Sequence, residues 1–455
     1  PPVQSGLTPP QDGCFMRQTL KALQFIFLGF LLAGSCVACL PSDDVRADAG
    51  APDAPPDRPI RPPPADERHG LRLITIRMPQ VFLEEMRADP EADIERPSRV
   101  HFDGREYAPV VFQLHGGLAR QHPKLSFRLT FPDDDKPVTD LFGGAAEEHR
   151  RLVFHASWVD SSFARNKLTF DAVRAAGGLA PRVSHAVVEV NGEFWGLYVV
   201  IERIDKIFLR KNGLNRSGDL YKAVGHDAHL GDNANPLAGF SVKSGETANP
   251  GVPLAALVDT LQNTPATFEA FDRSVRPVFH LRDYTTFARV HSFAGNRDTY
   301  TKNYYLFHDA TAPDGGDAAR WRMISWDADA TWGNNWDGER VSSQAGRRLY
   351  GTDRFAERYF GIDDYWDDHV ARYSDALDAE LSVDVLQRAA ADLFARIEEA
   401  CIVDHDLWQR PTTCSDEAER LRDFIDARHS TMRRLVDSNL ADMDDDDSNN
   451  DNDDD

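Results

Sequence analysis

The sequence predicts an α+β protein, in which a strand-rich first half forms one lobe and a helical second half forms another. Short stretches of alternating apolar residues recur between residues 71 and 201 and are typical of half-buried strands. Two of them flank Asn191-Gly192, the strongest short-range signal for a β-hairpin. Longer stretches with helical periodicity dominate after residue 281. This order predicts two lobes with a cleft between them.

Composition divides the 455-residue chain into four segments: an upstream extension and signal peptide at 1–39, a Pro- and Asp-rich linker at 40–69, one large domain at 70–440 and an acidic tail at 441–455. We expect the linker to be extended, because it holds too few apolar residues to bury a core. We expect the tail to be disordered, because its aspartates repel one another. The net charge of −23 argues against a nucleic-acid partner, which requires a basic patch.

The stretch that begins at Met16 has the features of an export signal. Arg17 and Lys21 precede a short apolar stretch, which is too short to span a membrane as a helix. Small residues then lead to Cys36, and Cys39 follows closely. This arrangement resembles a bacterial lipoprotein signal, so we expect a lipid anchor at Cys36 or Cys39 in a bacterial envelope. An ordinary cleaved signal is the alternative.

Two further cysteines stand alone near the end of the large domain. Cys401 and Cys414 have no cluster of His or Cys around them, which argues against zinc. In an oxidising compartment such a pair is expected to form a disulfide. Two free thiols are the alternative.

Apolar patterns and turn residues locate the elements of the large domain in chain order. The predicted strands lie at 71–78, 108–115, 124–131, 183–190, 194–201, 303–308 and 321–326. The predicted helices lie at 163–176, 281–293 and 416–436.

The stretch from Asp298 to Asp329 holds the residue types that phosphoryl transfer needs. Transfer from ATP requires a carboxylate near the acceptor hydroxyl, oxygen ligands for a metal ion and a cation on the phosphates. Asp298 is a candidate catalytic base. Asn303 follows it by five positions, and Asp327 and Asp329 come after the next two predicted strands. We expect Asn303, Asp327 and Asp329 to hold Mg²⁺ or Mn²⁺ through oxygen.

Six stretches, in this order, resemble the spore-coat protein H (CotH) kinase-like family of atypical protein kinases. They are LHGGLARQHPKLSFRLTF, DSSFARNKLTFD, VEVNGEFWGLYVVIERIDKIFL, NRDTYTKNYYLF, WRMISWDADATWG and FIDARHSTMRRLV, and they span most of 70–440. The resemblance implies an atypical bilobal protein-kinase-like fold with ATP as phosphate donor. It also implies that Asp298 is the catalytic residue and that Asn303 and Asp327 are the metal ligands.

The resemblance further implies nucleotide contacts in the first half of the domain. Lys124 matches the family lysine of an early strand, which would contact the nucleotide phosphates as a point charge. Arg128 is the substitute candidate, because Leu125 stands where many family members have a second basic residue. Glu202 ends a strand where a kinase hinge would pass the adenine. Solvated strand-end residues are the alternative for Lys124 and Glu202.

These observations predict ATP-dependent phosphoryl transfer to Ser or Thr hydroxyls of envelope or surface proteins. One alternative is a non-catalytic surface-binding protein that keeps the fold. Another is a phosphatase in which Asp327 is the nucleophile and Asp329 the acid–base, because Asp-Ala-Asp-Ala-Thr follows an apolar strand. That motif normally opens a doubly wound domain, whereas here it occurs late in the chain.

Overall fold

A barrel of seven strands, a second sheet of four strands, a small two-stranded sheet and a helical layer make up the computed structural model, which describes residues 61–64, 67–313 and 316–440. The strands in these residues are β1 (Arg72–Arg77), β2 (Glu95–Phe102), β3 (Arg105–Leu114), β4 (Phe127–Thr130), β5 (Val138–Thr139), β6 (Glu147–Glu148), β7 (Arg151–His155), β8 (Val183–Val190), β9 (Glu193–Ile201), β10 (Asp219–Ala223), β11 (Phe240–Ser244), β12 (Tyr304–His308) and β13 (Arg322–Ser325). The helices are α1 (Gln80–Ala88), α2 (Arg165–Ala175), α3 (Lys206–Lys211), α4 (Gly251–Asn263), α5 (Phe268–Ser274), α6 (Leu281–Phe293), α7 (Ala356–Phe360), α8 (Asp363–Asp378), α9 (Val383–Trp408) and α10 (Cys414–Asp437).

The barrel closes in the order β1-β2-β3-β4-β7-β9-β8. Its last contact is a parallel pairing of β1 with β8, whereas the other neighbours are antiparallel. The predicted hairpin joins β8 to β9. Its turn residues Asn191 and Gly192 have φ of 54° and 87°, the left-handed conformation that a two-residue turn of this type requires.

The interior of the barrel is apolar, because every second side chain of its strands points inward. Phe112, Phe127 and Phe154 form a stack across β3, β4 and β7, with neighbouring ring centroids 4.8 Å apart. The residues between them point to the outer face, where Arg128 pairs in register with Val153. The outer face therefore holds charged side chains such as Arg128, whereas the interior holds the apolar side chains that pack together.

The second sheet has the order β11-β10-β12-β13 and is antiparallel throughout. One face covers an apolar core with α4 to α8, and α6, α9 and α10 pack in a second core that reaches β8 and β9. Asp327 follows the edge strand β13 of this sheet. An Asp-nucleophile phosphatase needs a doubly wound parallel sheet, so the antiparallel sheet argues against that alternative.

Most predicted elements are confirmed, and several strands were not predicted. The helix at 281–293 and the strand at 183–190 have the predicted bounds, whereas the strand expected at 124–131 is shortened to Phe127–Thr130. The disulfide between Cys401 and Cys414 is confirmed and links the end of α9 to the start of α10. The mixed α+β class is also confirmed.

The predictions on the signal peptide, on Cys36 and Cys39 and on the acidic tail fall outside the described residues, as does most of the predicted linker. Among the described helices, none is both long and apolar enough to cross a membrane.

Candidate active site

A chain of hydrogen bonds that begins in α6 positions Asp298. His291 in α6 contacts the Ser325 hydroxyl at the end of β13 through Nε2, at 3.1 Å, and the Asn296 amide through Nδ1, at 2.9 Å. The Asn296 side-chain oxygen in turn accepts the backbone N–H of Asp298 at 3.0 Å. Burial lowers the pKa of His291 to about 3, so its ring is neutral and acts as a fixed spacer between two elements.

One ammonium group and one side-chain amide hold the Asp298 carboxylate. Lys302 Nζ lies 2.6 Å from one oxygen, and Asn303 Nδ2 donates to the other at 2.8 Å. The Asp298 side chain keeps 20% of its surface exposed, so the carboxylate is held in place but remains open to solvent on one side. The structure therefore brings Asp298 and Asn303 together, as the spacing in the sequence requires.

Asp327 and Asp329 lie in a loop that docks on α2. Asn166 accepts the backbone N–H of Ala328 at 2.9 Å, and Arg165 Nε donates to the Thr331 carbonyl at 3.0 Å. Asp327 has φ of 55° and Asn303 has φ of 58°. Side chains in this left-handed region are uncommon and cluster at functional sites, where the surrounding structure imposes the conformation.

The two carboxyl groups of this loop are electrostatically linked to each other and to Asp298. Burial raises the pKa of Asp327, while Lys222 opposes the rise and Asp298 adds to it. Burial and then Asp327 raise the pKa of Asp329 well above its usual value. The two groups are also within hydrogen-bonding reach of each other. Like charges held this closely favour a bound proton or a bound cation.

The chemistry of this set fits a small, hard divalent ion. Among the described residues, no group of three or more His, Cys, Asp or Glu is arranged to hold a metal ion. Mg²⁺ does not require one, because it is commonly held by one or two carboxylates together with water and substrate phosphates. Asp327, Asp329 and the Asn303 amide supply oxygens of the right kind.

Among the cations, Lys222 has the largest effect on the pKa of Asp327. It was not predicted from the sequence. It lies in β10, a strand that was not predicted, with Nζ 5.1 Å from the ring centroid of Trp326 and 5.9 Å from that of Tyr305. Burial lowers the pKa of Lys222, and Asp327 is the group that opposes this most. A lone lysine within an apolar strand was the signal in the sequence that could have found it.

Further cations line the outer barrel face beside Lys222. We call Arg128, Arg151, Arg203 and Lys222 the cationic cluster. His155 lies beside them, but burial lowers the pKa of its ring to about 4, so the ring is neutral. His155 lies 6.3 Å from Trp326, measured between ring centroids, which brings the barrel face next to the Asp327 loop. After burial, the largest effect on the pKa of Arg128 comes from Arg151, and that on Arg151 from Arg203, and each lowers it.

This cationic cluster is short of anionic partners. The Nε atoms of Arg128 and Arg151 are buried without a hydrogen-bond partner among the described residues. Arg128 has Glu95 at 3.3 Å, and Arg203 has Asp205 only at 3.9 Å. Buried donors without partners are costly, so the cluster is suited to bind an added anion.

Lys124 occupies a different environment from the one its predicted role requires. Its side chain has no exposed surface, and Nζ lies 2.5 Å from Asp404 and 2.5 Å from the Leu197 carbonyl. The rings of Phe163 and Tyr198 cover it, with centroids 4.8 and 4.5 Å from Nζ. An ammonium group enclosed in this way is closed to a phosphate, so the geometry argues against a nucleotide contact by Lys124.

Glu202 is also engaged elsewhere. Its carboxylate accepts hydrogen bonds from Arg182, the shortest at 2.9 Å, and from Lys211 at 2.6 Å. These contacts lower its pKa in spite of burial. The side chain is therefore part of an ion-pair network and is not directed at a nucleotide, whereas Arg128 lies in the cationic cluster.

Comparison with known proteins gives one family and two relatives. The model of the family described as CotH kinase protein matches residues 112–432. The chain is 25% identical over 258 residues to inner spore coat protein H of Bacillus subtilis (strain 168), which covers 55% of this chain and 68% of that protein. The crystal structure of a Helicobacter pylori proinflammatory kinase, CtkA, aligns with a TM-score of 0.34 and 11% identity, over 71% of this chain and 93% of that one. A similarity at that TM-score does not establish a shared fold.

Proposed function

Because this chain belongs to the CotH kinase protein family, we propose that it is an atypical protein kinase that transfers the γ-phosphoryl group of ATP to Ser or Thr hydroxyls of envelope proteins. The observation that carries this proposal is the closeness of a partly exposed carboxylate, Asp298, to the half-buried Asp327 and Asp329, beside a cationic cluster that has too few anionic partners. Phosphoryl transfer is achieved mainly by positioning and by charge, and these groups supply both.

In this proposal the barrel forms the first lobe of a bilobal kinase, and the second sheet with its helices forms the second lobe. The nucleotide lies between the outer barrel face and the Asp327 loop. Trp326 and His155, whose rings are neighbours, mark the point where the two lobes meet.

The metal ion, Mg²⁺ or Mn²⁺, would be held by Asn303, Asp327 and Asp329. Once bound, it neutralises charge on the transferring phosphoryl group and on the leaving diphosphate. The mutual repulsion of Asp327 and Asp329 is relieved by a cation, which gives both carboxylates a reason to remain ionised around it.

The phosphates would be held by Lys222 and Arg128 instead of Lys124. Lys222 faces Asp327, where a metal-bound phosphate would lie, and Arg128 has an unpartnered Nε on the same side of the barrel. An anion in this position would supply the partners that the described residues lack.

Asp298 acts as the base in this proposal. Lys302 and Asn303 hold its carboxylate, and its exposed side would orient the acceptor hydroxyl and accept the proton. Export and a lipid anchor at Cys36 or Cys39 would place the kinase on a bacterial envelope, with protein substrates there.

The test is transfer of labelled γ-phosphate from ATP with Mg²⁺ or Mn²⁺, by the full chain, to itself and to a generic basic protein. We expect Asp298→Asn and Asp327→Asn each to reduce transfer by roughly 10²-fold or more, because each removes a group that acts in the transition state. Asp367→Asn, an exposed residue of α8, is the control and should be fully active.

The same measurement can reject the proposal. Absence of labelled product from the wild type, together with absence of an ATP-dependent rise in melting temperature, would favour the non-catalytic surface protein. Both oxygens of Asp298 already have partners, which is the feature of the site that suits that alternative.

A further inference from the structure

Lys302 contacts the candidate base Asp298 and directly precedes the candidate metal ligand Asn303 in the chain. Its Nζ is 2.6 Å from Asp298, and its side chain keeps 24% of its surface exposed. Residues 301–303 form neither helix nor strand, so this contact is not the pairing that a helix would impose on residues four apart. Lys302 also lowers the pKa of Asp327, with a smaller effect than that of Lys222.

Phosphoryl transfer places the moving group between these carboxylates. The attacking hydroxyl lies at Asp298, and the phosphate bound to metal lies at Asp327, with the two oxygens roughly in line through phosphorus. Negative charge is spread over the oxygens of the transferring group at that point. A cation beside Asp298 that also acts on Asp327 is placed to contact these oxygens.

We propose that Lys302 binds an oxygen of the γ-phosphoryl group of ATP and holds it in line with the hydroxyl at Asp298. This inference rests on the proposed kinase function. The bond from γ-phosphorus to the bridging oxygen breaks, and its electron pair leaves with ADP. The acceptor oxygen forms the new bond to phosphorus and its proton passes to Asp298, while Lys302 keeps its own protons throughout.

If Lys302 only formed an ion pair with Asp298, its loss would have a different effect on nucleotide binding. Exposed Lys–Asp pairs contribute about 0–1 kcal/mol to stability, and their loss does not distinguish one nucleotide from another. Lys167 provides the comparison, because it pairs with Asp171 at 2.7 Å, also four residues apart, and is 23% exposed. Lys167 lies on α2, where such a pair is the local default.

The experiment measures the dissociation constants of ATP and ADP, each with Mg²⁺, by calorimetry on the full chain, together with kcat. We expect the wild type to bind ATP more tightly than ADP. Lys302→Met should weaken ATP binding by about tenfold or more and leave ADP binding unchanged, because a hydrogen bond to a charged group contributes about 1.5–3 kcal/mol. Lys302→Arg should keep part of the preference, and Lys167→Met all of it.

An unchanged ratio of ATP to ADP affinity in Lys302→Met, in an active wild type, would overturn the role of Lys302 and leave the kinase proposal intact. A wild type that binds neither nucleotide and transfers no phosphate would overturn both. Melting temperature checks that Lys302→Met is folded, since the lost ion pair alone should cost no more than about 1 kcal/mol.

Discussion

Two regions of the molecule bring a lysine near an aspartate away from solvent, and they differ in whether the two side chains form a direct ion pair. Lys124 and Asp404 form a pair with no exposed surface, closed by rings and by backbone groups. Lys222 and Asp327 also interact and are half-buried, yet no carboxylate lies within ion-pair distance of Lys222 Nζ among the described residues. In the first region Lys124 and Asp404 pair directly, although Asp404 Oδ1 has no hydrogen bond among the described residues and only Arg410 near it, at 3.8 Å. In the second region Lys222 has no direct carboxylate partner within the described part of the chain.

The buried pair of Lys124 and Asp404 connects a helix to the barrel through one oxygen of the Asp404 carboxylate, Oδ2. Asp404 accepts hydrogen bonds from Lys124 and from the backbone N–H of Leu197 at 2.9 Å. Gly196 makes this approach possible, because a Cβ on it would lie 2.0 Å from the Asp404 carboxylate. The pair thereby ties α9 to the barrel. Removing one partner of such a buried pair is strongly destabilising, whereas ionisable groups with shifted pKa values and no direct partner are candidates for a ligand site.

The largest expected effect comes from breaking the sealed pair. Lys124→Ala should lower the free energy of unfolding by about 3–5 kcal/mol, because it leaves the Asp404 charge buried with only Arg410, at 3.8 Å, near it in the part of the chain that the structure describes. The nucleotide affinity of the protein that remains folded should be unchanged. Denaturant unfolding and calorimetry with ATP measure the two quantities, and a normal stability combined with lost ATP binding would restore Lys124 to the phosphate site.

A matched control and a pH dependence sharpen this prediction. Replacing both partners, as Lys124→Met with Asp404→Leu, should cost far less than the single change. Burial lowers the pKa of Lys124 to about 8, below its value of roughly 10.4 in the unfolded chain. The unfolded chain then binds more protons between these pH values, so wild-type stability should rise with pH through this window. The double variant should lack the rise.

The disulfide that flanks Asp404 should have the next largest effect. Cys401 and Cys414 are 13 residues apart and close the loop that links α9 to α10. Reduction, or Cys401→Ala with Cys414→Ala, should destabilise the fold by about 3 kcal/mol, the amount expected for a loop of this length. Thermal unfolding with and without reductant measures it. If the double variant still responds to reductant, the effect does not arise from this disulfide.

The smallest expected effect comes from the region of Lys222 and Asp327, and it is an effect on nucleotide affinity. Lys222→Met should weaken the binding of both ATP and ADP by about tenfold, because it removes a cation from the proposed phosphate site. Stability should change little, since Lys222 makes no close ion pair among the described residues. Lys206→Met, an exposed residue of α3, is the control. Unchanged affinity with lowered stability would make Lys222 a structural residue.

Short spacings in the sequence predict some contacts of the candidate site, and others depend on packing. The contact of Asp298 with Asn303 and the closeness of Asp327 to Asp329 follow from short spacings within loops, so the sequence predicts them. Lys222 and Arg128 are brought to the same region by two different sheets. Such a meeting depends on packing, and no spacing in the chain encodes it.

The sequence by itself determined the α+β class, the Asn191-Gly192 hairpin, the bounds of α6 and the pairing of Cys401 with Cys414, because local periodicity, turn residues and redox setting decide these features. Only the tertiary structure decided which lysine is sealed and which is open. Lys124 and Lys222 both precede apolar residues in strand-like surroundings. Their difference arises because α9 delivers Asp404 to one of them from 280 residues away, and no such partner reaches the other.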